Sequence, residues 1–338
     1  MGNKIKVLIL DDSMVFREVL ARGLSVDPSI FVVAKAENPF DAIRKIENFQ
    51  PDVITCDVQM PKMDGIEFIK QLMPQHPVPI IVVSSLSESV LDALNAGAVD
   101  FVTKPDIQSP QSVEAFIFEL IQKVKAISKS KIVPKQTVQP SKSVNPVGQF
   151  TKKIIAIGAS TGGTEAIFHV LKQLPLNIPG VVIVQHIPPQ FSKMFASRLN
   201  LQTHFEVVEG KKGEYIEPGK VIVAPGDQHL SVIRVGDRYK IDVFHGDRVN
   251  GHCPSVDVLF ESVAKECGNS AVGVILTGMG YDGAKGLLSM RRKGARTIGQ
   301  DESTSVVYGM PKAAYEVGAV ERQYPLDQIS RGICNVLR

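Results

Sequence analysis

The sequence predicts an α/β protein made of two doubly wound domains with mainly parallel sheets. Short apolar runs alternate with segments of helical spacing along both halves of the chain. A chain of 338 residues can also form two domains that each bury a core. Between the halves lies a basic stretch rich in proline and serine. We therefore expect a first domain over residues 1–127, a flexible linker over 128–151 and a second domain over 152–338.

The first domain is predicted to be a five-stranded parallel sandwich with a helix after each strand. The first strand is continuously apolar, as expected when helices cover both faces of a sheet, and right-handed crossovers join the units. The predicted strands cover residues 6–10, 30–34, 53–56, 80–83 and 99–103. The predicted helices cover residues 15–24, 39–46, 65–72, 86–96 and 111–127.

The second domain is predicted to be a larger Rossmann-like sheet with a β-hairpin excursion. A strand and turn are expected over 221–226, a hairpin over 230–235 and 239–244, and a cap on the third helix at Ser255. The other predicted strands cover residues 153–157, 181–185, 271–276 and 296–299. The predicted helices cover residues 164–174, 190–199, 256–267, 284–293, 311–317 and 326–337.

Composition and charge exclude several classes of function. The formal net charge of +3 is too small to suggest nucleic-acid binding. The four cysteines show no C-x-x-C spacing, so neither a zinc site nor a disulfide framework is indicated. The N-terminal apolar run is too short for a signal peptide, and no run of about 18 apolar residues is present. We therefore expect a cytoplasmic protein without stable membrane insertion.

Polar side chains follow the strands of the first predicted sheet at the edge where ligands bind in doubly wound folds. They are Asp11, Asp12, Asp57, Ser84 and Lys104. Clustered carboxylates repel one another unless a cation is present, and hard oxygen ligands suit Mg2+. A carboxylate such as Asp57 can form an aspartyl phosphate, whose oxygens Lys104 and Ser84 would contact. Simple helix capping would explain one such aspartate, but not five matched positions.

In the second half, the sequence Gly-Ala-Ser-Thr-Gly-Gly at 158–163 lies between a predicted strand and a predicted helix. Its G-x-S-x-G spacing is typical of a tight turn that lifts a serine hydroxyl, here that of Ser160, above the end of a sheet. The same glycines could instead cradle a phosphate at the helix N-terminus. A plain structural turn is a third interpretation, and the motif alone does not decide among them.

Two further positions favour catalysis at this turn. His186 directly follows the strand over 181–185, and Asp282 lies in a glycine loop after the strand over 271–276. An imidazole can take the proton of a serine, and a carboxylate can fix the tautomer of that imidazole. The chain order of serine, histidine and aspartate differs from that of α/β-hydrolases, so that fold is not indicated. The glycines around Met279 would let backbone N–H groups face a developing oxyanion.

Other histidines are weaker candidates for the base. His229, His245 and His252 lie in predicted loops, and lining the catalytic cleft is the minority interpretation for each of them. His186 is preferred because it stands at a strand end.

In the polar residues that follow its strands, the first domain resembles the receiver domain of two-component response regulators. The motifs that carry the resemblance are Asp11-Asp12, Asp57, Met60-Pro61, Asp64-Gly65, Ser84 and Lys104-Pro105. By this resemblance, a histidine kinase phosphorylates Asp57, and Asp11, Asp12 and Asp57 hold Mg2+. Ser84 and Phe101 form the switch that reports phosphorylation, together with Lys104.

The second domain resembles the protein-glutamate methylesterase domain of chemotaxis proteins of the CheB family. The motifs are those at 158–163, 185–186, 224–226, 249–252, 254–257, 275–280, 282–283 and 308–311. The resemblance implies Ser160 as nucleophile, His186 as base, Asp282 as its orienting carboxylate, and Thr161 and Met279 at the oxyanion hole. It implies methylated chemoreceptors as substrates, deamidation of receptor glutamines, activation by phosphorylation and no cofactor for ester hydrolysis.

Three alternatives are less well supported. A nucleotide-binding oxidoreductase would need an acidic residue after the strand over 181–185, where Gln185-His186 stands instead. A DNA-binding regulator would need a small basic helix-turn-helix output domain. A non-catalytic output domain remains an alternative if the three catalytic residues do not assemble.

Overall fold

The computed structural model describes residues 4–61, 63–85, 87–106, 108–128, 130 and 153–337. The chain divides into two compact units, Met1–Gln136 and Thr137–Arg338. The linker predicted over 128–151 lies outside the described residues, apart from 128 and 130. Of the helices in the described ranges, none is long and apolar enough to cross a membrane.

The first unit contains a parallel sheet with strand order β2-β1-β3-β4-β5. Its strands are β1 (Ile5–Leu10), β2 (Ile30–Ala36), β3 (Val53–Asp57), β4 (Ile80–Ser84) and β5 (Asp100–Thr103). Its helices are α1 (Met14–Leu24), α2 (Pro39–Phe49), α3 (Gly65–Leu72), α4 (Ser87–Ala96) and α5 (Pro110–Ile127). The two central strands β3 and β4 are completely buried, as the apolar runs predicted.

Side-chain caps begin the helices just beyond the strand ends of this sheet. Ser13 Oγ accepts a hydrogen bond from the N–H of Phe16, and Asp64 Oδ1 accepts one from the N–H of Glu67. The β1–α1 connection is therefore short, and it holds Asp11 at the C-terminal edge of the sheet.

The second unit contains a seven-stranded parallel sheet with order β14-β13-β12-β6-β7-β9-β8, and a separate antiparallel hairpin, β10-β11. The strands are β6 (Ile154–Ala159), β7 (Gly180–Gln185), β8 (Glu206–Glu209), β9 (Lys220–Val223), β10 (His229–Val235), β11 (Arg238–Phe244), β12 (Ala271–Ile275), β13 (Arg296–Gln300) and β14 (Arg322–Tyr324). The helices are α6 (Gly163–Gln173), α7 (Pro189–Gln202), α8 (Val256–Cys267), α9 (Ala284–Arg292), α10 (Met310–Glu316) and α11 (Leu326–Leu337). The prediction of two mainly parallel α/β units is confirmed.

Two edge strands of this sheet were not predicted. β8 has the sequence Glu-Val-Val-Glu and β14 the sequence Arg-Gln-Tyr, so neither presents an apolar run. Both lie at an edge of the sheet, where charged side chains and short length protect against pairing with another chain. An apolar pattern detects the buried central strands and misses such edges.

The prediction that α8 is capped at Ser255 is confirmed for its position, since Ser255 is the residue before the helix, but the Ser255 side chain does not make the expected capping bond. Its hydroxyl instead donates to Oδ1 of Asp282 at 2.8 Å. The residue that looks like a helix cap in the sequence therefore belongs to the candidate site.

The order of strands creates a crevice at the C-terminal end of β6. The chain leaves β6 toward β7 on one side, and returns later to β12 on the other side. In open parallel sheets, ligands bind at such a change of direction. The loops after β6, β7 and β12 carry Ser160, His186 and Asp282 respectively.

Candidate functional site

Ser160 is the first residue after β6, and it stands next to the loop that follows β12. Its N–H donates to the carbonyl of Thr277 at 3.0 Å. A methyl group added at Gly278 would lie 2.8 Å from Cβ of Ser160 and 2.4 Å from Sδ of Met310. Glycine at 278 is therefore needed for the two loops to approach this closely. The Ser160 side chain remains partly exposed above them.

His186 lies beside Ser160 because of the register between β6 and β7. Ala159 pairs with Gln185, and the next residues along the two strands are Ser160 and His186. The N–H of His186 continues the ladder by donating to the carbonyl of Ala159 at 3.1 Å. Neighbouring strands are about 4.8 Å apart, so this register brings the hydroxyl and the imidazole to adjacent positions.

The imidazole of His186 contacts Asp282 through one specific nitrogen. Nε2 of His186 lies 2.9 Å from Oδ2 of Asp282. Nδ1 of His186 is buried and has no hydrogen-bond partner among the described residues. With Nε2–H donated to the carboxylate, the neutral ring carries its lone pair on Nδ1. Nδ1 is therefore the ring nitrogen of His186 that is left to accept a proton.

Asp282 is nearly completely buried and accepts five hydrogen bonds. Its donors are His186 Nε2, the N–H of Val256, the N–H of Asp257, Ser255 Oγ and Asn250 Nδ2. Burial acts to raise the pKa of Asp282, but the hydrogen bonds from His186, Asn250 and the N–H of Val256 hold that pKa below its ordinary value. The carboxylate is thus ionised and fixed in orientation.

A tight Asn-Gly turn supplies one contact that the sequence did not indicate, from Asn250, and places His252, for which lining the cleft was the minority interpretation, against His186. Asn250 and Gly251 both have positive φ, and backbone hydrogen bonds join Val249 to His252 across them. Asn250 Nδ2 donates to Asp282, and the ring of His252 stacks on His186 with centroids 3.7 Å apart. The Asn-Gly pair could have indicated the turn, but not which side chains it would meet.

In the described part of the chain, the other two loop histidines form no hydrogen bond with Ser160, His186 or Asp282. His229 is buried, accepts the N–H of Ser255 at Nδ1 and lies 2.9 Å from the carbonyl of Asp247 at Nε2. These contacts stabilise the start of α8. His245 is exposed.

Backbone donors lie close to the serine. In the described part of the chain, the N–H groups of Thr161 and Met279 donate to no protein acceptor. Thr161 directly follows Ser160, and Met279 follows Gly278, which packs against Ser160. Two N–H groups without a protein acceptor, one in the residue after Ser160 and one after the glycine that packs against Ser160, are the kind of donor that stabilises an oxyanion.

The first unit has a second polar cluster at the C-terminal edge of its sheet. Carboxylate oxygens of Asp11, Asp12 and Asp57 all lie within 4.8 Å of one another. Lys104 Nζ lies 2.8 Å from Oδ2 of Asp11 and 2.7 Å from Oδ2 of Asp57. Burial acts to lower the pKa of Lys104, but these two carboxylates outweigh it and raise that pKa. One lysine thus compensates part of a threefold negative charge.

The donor set of this cluster fits Mg2+. All three groups are hard carboxylate oxygens, and Asp12 is exposed, which leaves room for water or phosphate oxygens. Ser84 is buried at the end of β4, where its carbonyl accepts the N–H of Lys104 at 3.1 Å. Phe101 is also buried, and the centroid of its ring lies 5.4 Å from Nζ of Lys123.

Asp57 lowers the stability of the first unit while it is ionised. Burial raises the pKa of Asp57 and outweighs the opposing effect of Lys104. A raised pKa in the folded state means that stability decreases as pH rises through the interval from 3.8 to the folded value. We expect Asp57→Asn to raise the melting temperature of this unit at neutral pH, because the amide carries no buried charge. Calorimetry should show the difference vanish at a pH where Asp57 is protonated; a lower melting temperature at neutral pH would contradict this.

Comparisons with known proteins match both halves of the chain. Residues 155–333 match the family described as CheB methylesterase, and residues 7–114 match the response regulator receiver domain. A protein-glutamate methylesterase/protein-glutamine glutaminase 2 of Syntrophomonas wolfei is 50% identical over 334 residues, which are 99% of this chain and 98% of that protein. A protein-glutamate methylesterase/protein-glutamine glutaminase of Escherichia coli O157:H7 is 44% identical over 334 residues, 97% of this chain and 96% of that protein. The crystal structure of the Thermotoga maritima CheB methylesterase catalytic domain is similar with a TM-score of 0.53 at 36% identity, covering 54% of this chain and 98% of that domain.

Proposed function

Since this chain belongs to the CheB methylesterase family and carries a receiver domain, we propose that Ser160, His186 and Asp282 perform its ester hydrolysis. The chain is a protein-glutamate methylesterase and protein-glutamine glutaminase that phosphorylation activates. The observation that supports these residue roles best is the 2.9 Å contact between His186 Nε2 and Asp282, which leaves Nδ1 of His186 without a hydrogen-bond partner among the described residues, one strand position across from Ser160. We place the receiver in 1–127 and the catalytic domain in 152–338.

The reaction begins when Ser160 Oγ attacks the carbonyl carbon of a glutamate methyl ester while Nδ1 of His186 takes the hydroxyl proton. The negative charge moves to the ester oxygen, where the N–H groups of Thr161 and Met279 stabilise it. The C–O bond to the methoxy group then breaks, and His186 returns its proton so that methanol leaves. An acyl-enzyme on Ser160 remains.

Water completes the cycle by the same route. Nδ1 of His186 takes a proton from water, the hydroxide attacks the acyl carbon, and Ser160 leaves with that proton. The product is a free glutamate side chain. A glutamine side chain enters the same sequence with ammonia as the first leaving group, which accounts for the glutaminase activity. The partners are methylated chemoreceptors, whose side chains must reach Ser160 at the partly exposed surface.

Regulation begins at Asp57 of the receiver. We infer that a carboxylate oxygen of Asp57 attacks the phosphoryl group of a histidine kinase, and that Lys104 and Ser84 then bind the phosphoryl oxygens. Asp11, Asp12 and Asp57 would hold Mg2+, which neutralises negative charge on the phosphoryl group. Ser84, Phe101 and Lys104 would carry the phosphorylated state to the rest of the receiver.

We expect Asp57→Asn to abolish the stimulation of methanol release by acetyl phosphate and to leave the unstimulated rate unchanged. The amide cannot form an acyl phosphate, while the ester chemistry takes place in the other unit. The measurement is methanol release from methylated receptor membranes with and without the phosphodonor. Asp106→Asn, an exposed carboxylate beyond β5, serves as the control and should retain stimulation. Stimulation that persists in Asp57→Asn would move the phosphorylation site to another residue.

A further inference from the structure

Both backbone donors proposed for the oxyanion hole belong to peptide groups whose carbonyls are held by two hydrogen bonds. The carbonyl of Ser160, in the same peptide as the Thr161 N–H, accepts from Gly163 N at 2.7 Å and from Gln185 Nε2 at 2.8 Å. The carbonyl of Gly278, in the same peptide as the Met279 N–H, accepts from Gly309 N at 3.2 Å and from Met310 N at 2.8 Å.

Holding the carbonyl of a peptide also fixes the direction of its N–H. The peptide unit is planar, and in the trans form its N–H points opposite to its C=O. The peptide between Ser160 and Thr161 is trans. Two donors on the Ser160 carbonyl therefore also fix the direction of the Thr161 N–H, which lies in the same plane and points the opposite way. Of those two donors, the only one on a side chain is the amide of Gln185.

Gln185 is placed to act on this peptide and on the base together. It is the last residue of β7, it is 4% exposed, and its Nε2 also lies 3.2 Å from the carbonyl of His186. Both neighbours of Nε2 are carbonyl oxygens, so this end of the side chain must be the donor. A single amide group thus contacts the backbone of the residue proposed as nucleophile and that of the residue proposed as base.

The other end of the Gln185 side chain argues against a purely stabilising role. Its Oε1 is buried and has no hydrogen-bond partner among the described residues. A buried acceptor without a donor lowers stability. An apolar side chain of similar length would avoid this cost, so the contacts of Nε2 are what the amide contributes.

We propose that Gln185 is a positioning residue of the oxyanion hole, which holds the Ser160–Thr161 peptide so that the Thr161 N–H faces the developing oxyanion. The proposal rests on the proposed function of Ser160 and Thr161. Gln185 itself does not contact the substrate. It acts through the peptide that follows the nucleophile.

The test compares an ester with its thionoester in Gln185→Met. The substrates are a helical receptor peptide with one glutamate methyl ester, and the same peptide with C=S in place of the ester C=O. Sulfur is larger and accepts hydrogen bonds weakly, so hydrolysis of the thionoester depends less on the aim of the Thr161 N–H. Rates are measured on the full chain with acetyl phosphate and divided by the active fraction, which is titrated with a fluorophosphonate.

We expect kcat for the ester to fall on the order of 10- to 100-fold in Gln185→Met. The thionoester rate should fall much less, so that the ester-to-thionoester ratio contracts at least about threefold. Gln185→Asn, which retracts the amide by one methylene, should give the same contraction and serves if the methionine variant does not fold. An ester-to-thionoester ratio that stays at the wild-type value in both variants would overturn the proposal, because both substrates would then have lost rate equally.

Gln300→Met is the matched control for removal of a buried amide. Gln300 ends β13 and is fully buried, and its Oε1 accepts the N–H of Thr277 at 2.8 Å. It contacts neither the Ser160 nor the Gly278 carbonyl. Gln300→Met should lower the stability of the protein and leave the ester-to-thionoester ratio at its wild-type value. Failure of the proposed function itself would be visible separately, as ester hydrolysis that survives Ser160→Ala.

Discussion

Ser160→Ala is expected to reduce methanol release from methylated receptors about 10⁶-fold, because removal of the nucleophile in serine hydrolases has a cost of this order. The N–H groups of Thr161 and Met279 remain in the variant, so the residual rate is that of water attack on a bound ester. The measurement is methanol release under phosphodonor, with the melting temperature recorded beside it. The melting temperature should change little, since Ser160 is only partly buried.

Ser197→Ala provides the control for loss of a hydroxyl in the same unit. Ser197 lies on an exposed face of α7, and its hydroxyl donates to the Lys193 carbonyl of the same helix. This variant should retain the full rate. If Ser160→Ala kept more than about one hundredth of the wild-type rate, another group would have to be the nucleophile.

The second large effect is expected for Asp282→Asn, at about 10⁴-fold in kcat. Both oxygens of Asp282 accept hydrogen bonds, so an amide group at either position would meet an N–H or O–H donor. An NH2 group facing His186 would also force Nε2 to become an acceptor. The ring proton would then move to Nδ1, and the nitrogen beside Ser160 could no longer accept a proton.

The pH dependence separates this explanation from a simple loss of fold. The pKa of Asp282 is held below its ordinary value, so the wild-type carboxylate stays ionised over the whole range in which such enzymes are assayed. The defect of Asp282→Asn should therefore persist unchanged from about pH 6 to pH 9. Asp257→Asn is the comparison, because Asp257 is also buried and bonded to Asn250 but does not contact His186. We expect it to lose less than tenfold; an equal loss would mean that the buried charge, and not the contact with His186, matters.

The fold was predictable wherever strands are buried on both faces. Continuous apolar runs identified β1, β3, β4, β6, β7 and β12, because a strand between two helical layers carries few polar residues. The same criterion missed β8 and β14, which lie at sheet edges and carry charged residues. The edge strands β2 and β5 of the first sheet were predicted because they carry apolar residues, so the criterion fails only at edges whose residues are mainly polar.

The candidate site was predictable to the level of strand ends and no further. Ser160 and His186 follow paired strands, and parallel strands deliver their C-terminal residues to one edge. The choice between Nδ1 and Nε2 of His186 depends on the side from which Asp282 approaches, which no local pattern contains. Ser255 shows the same limit, because its cap-like position says nothing of its bond to Asp282. Gln185 belongs to the motif at 185–186, but the sequence does not show that its side chain donates to the Ser160 carbonyl in the loop after β6.

The most direct test of Ser160 as the receiver-controlled nucleophile is irreversible labelling of the full chain. The probe is a receptor peptide in which the glutamate methyl ester is replaced by its fluorophosphonate analogue, and the adduct is located by mass spectrometry. We predict one adduct per chain, on Ser160, formed faster with acetyl phosphate in the wild type but not in Asp57→Asn. An adduct on another residue, or complete loss of activity with Ser160 unmodified, would contradict the account.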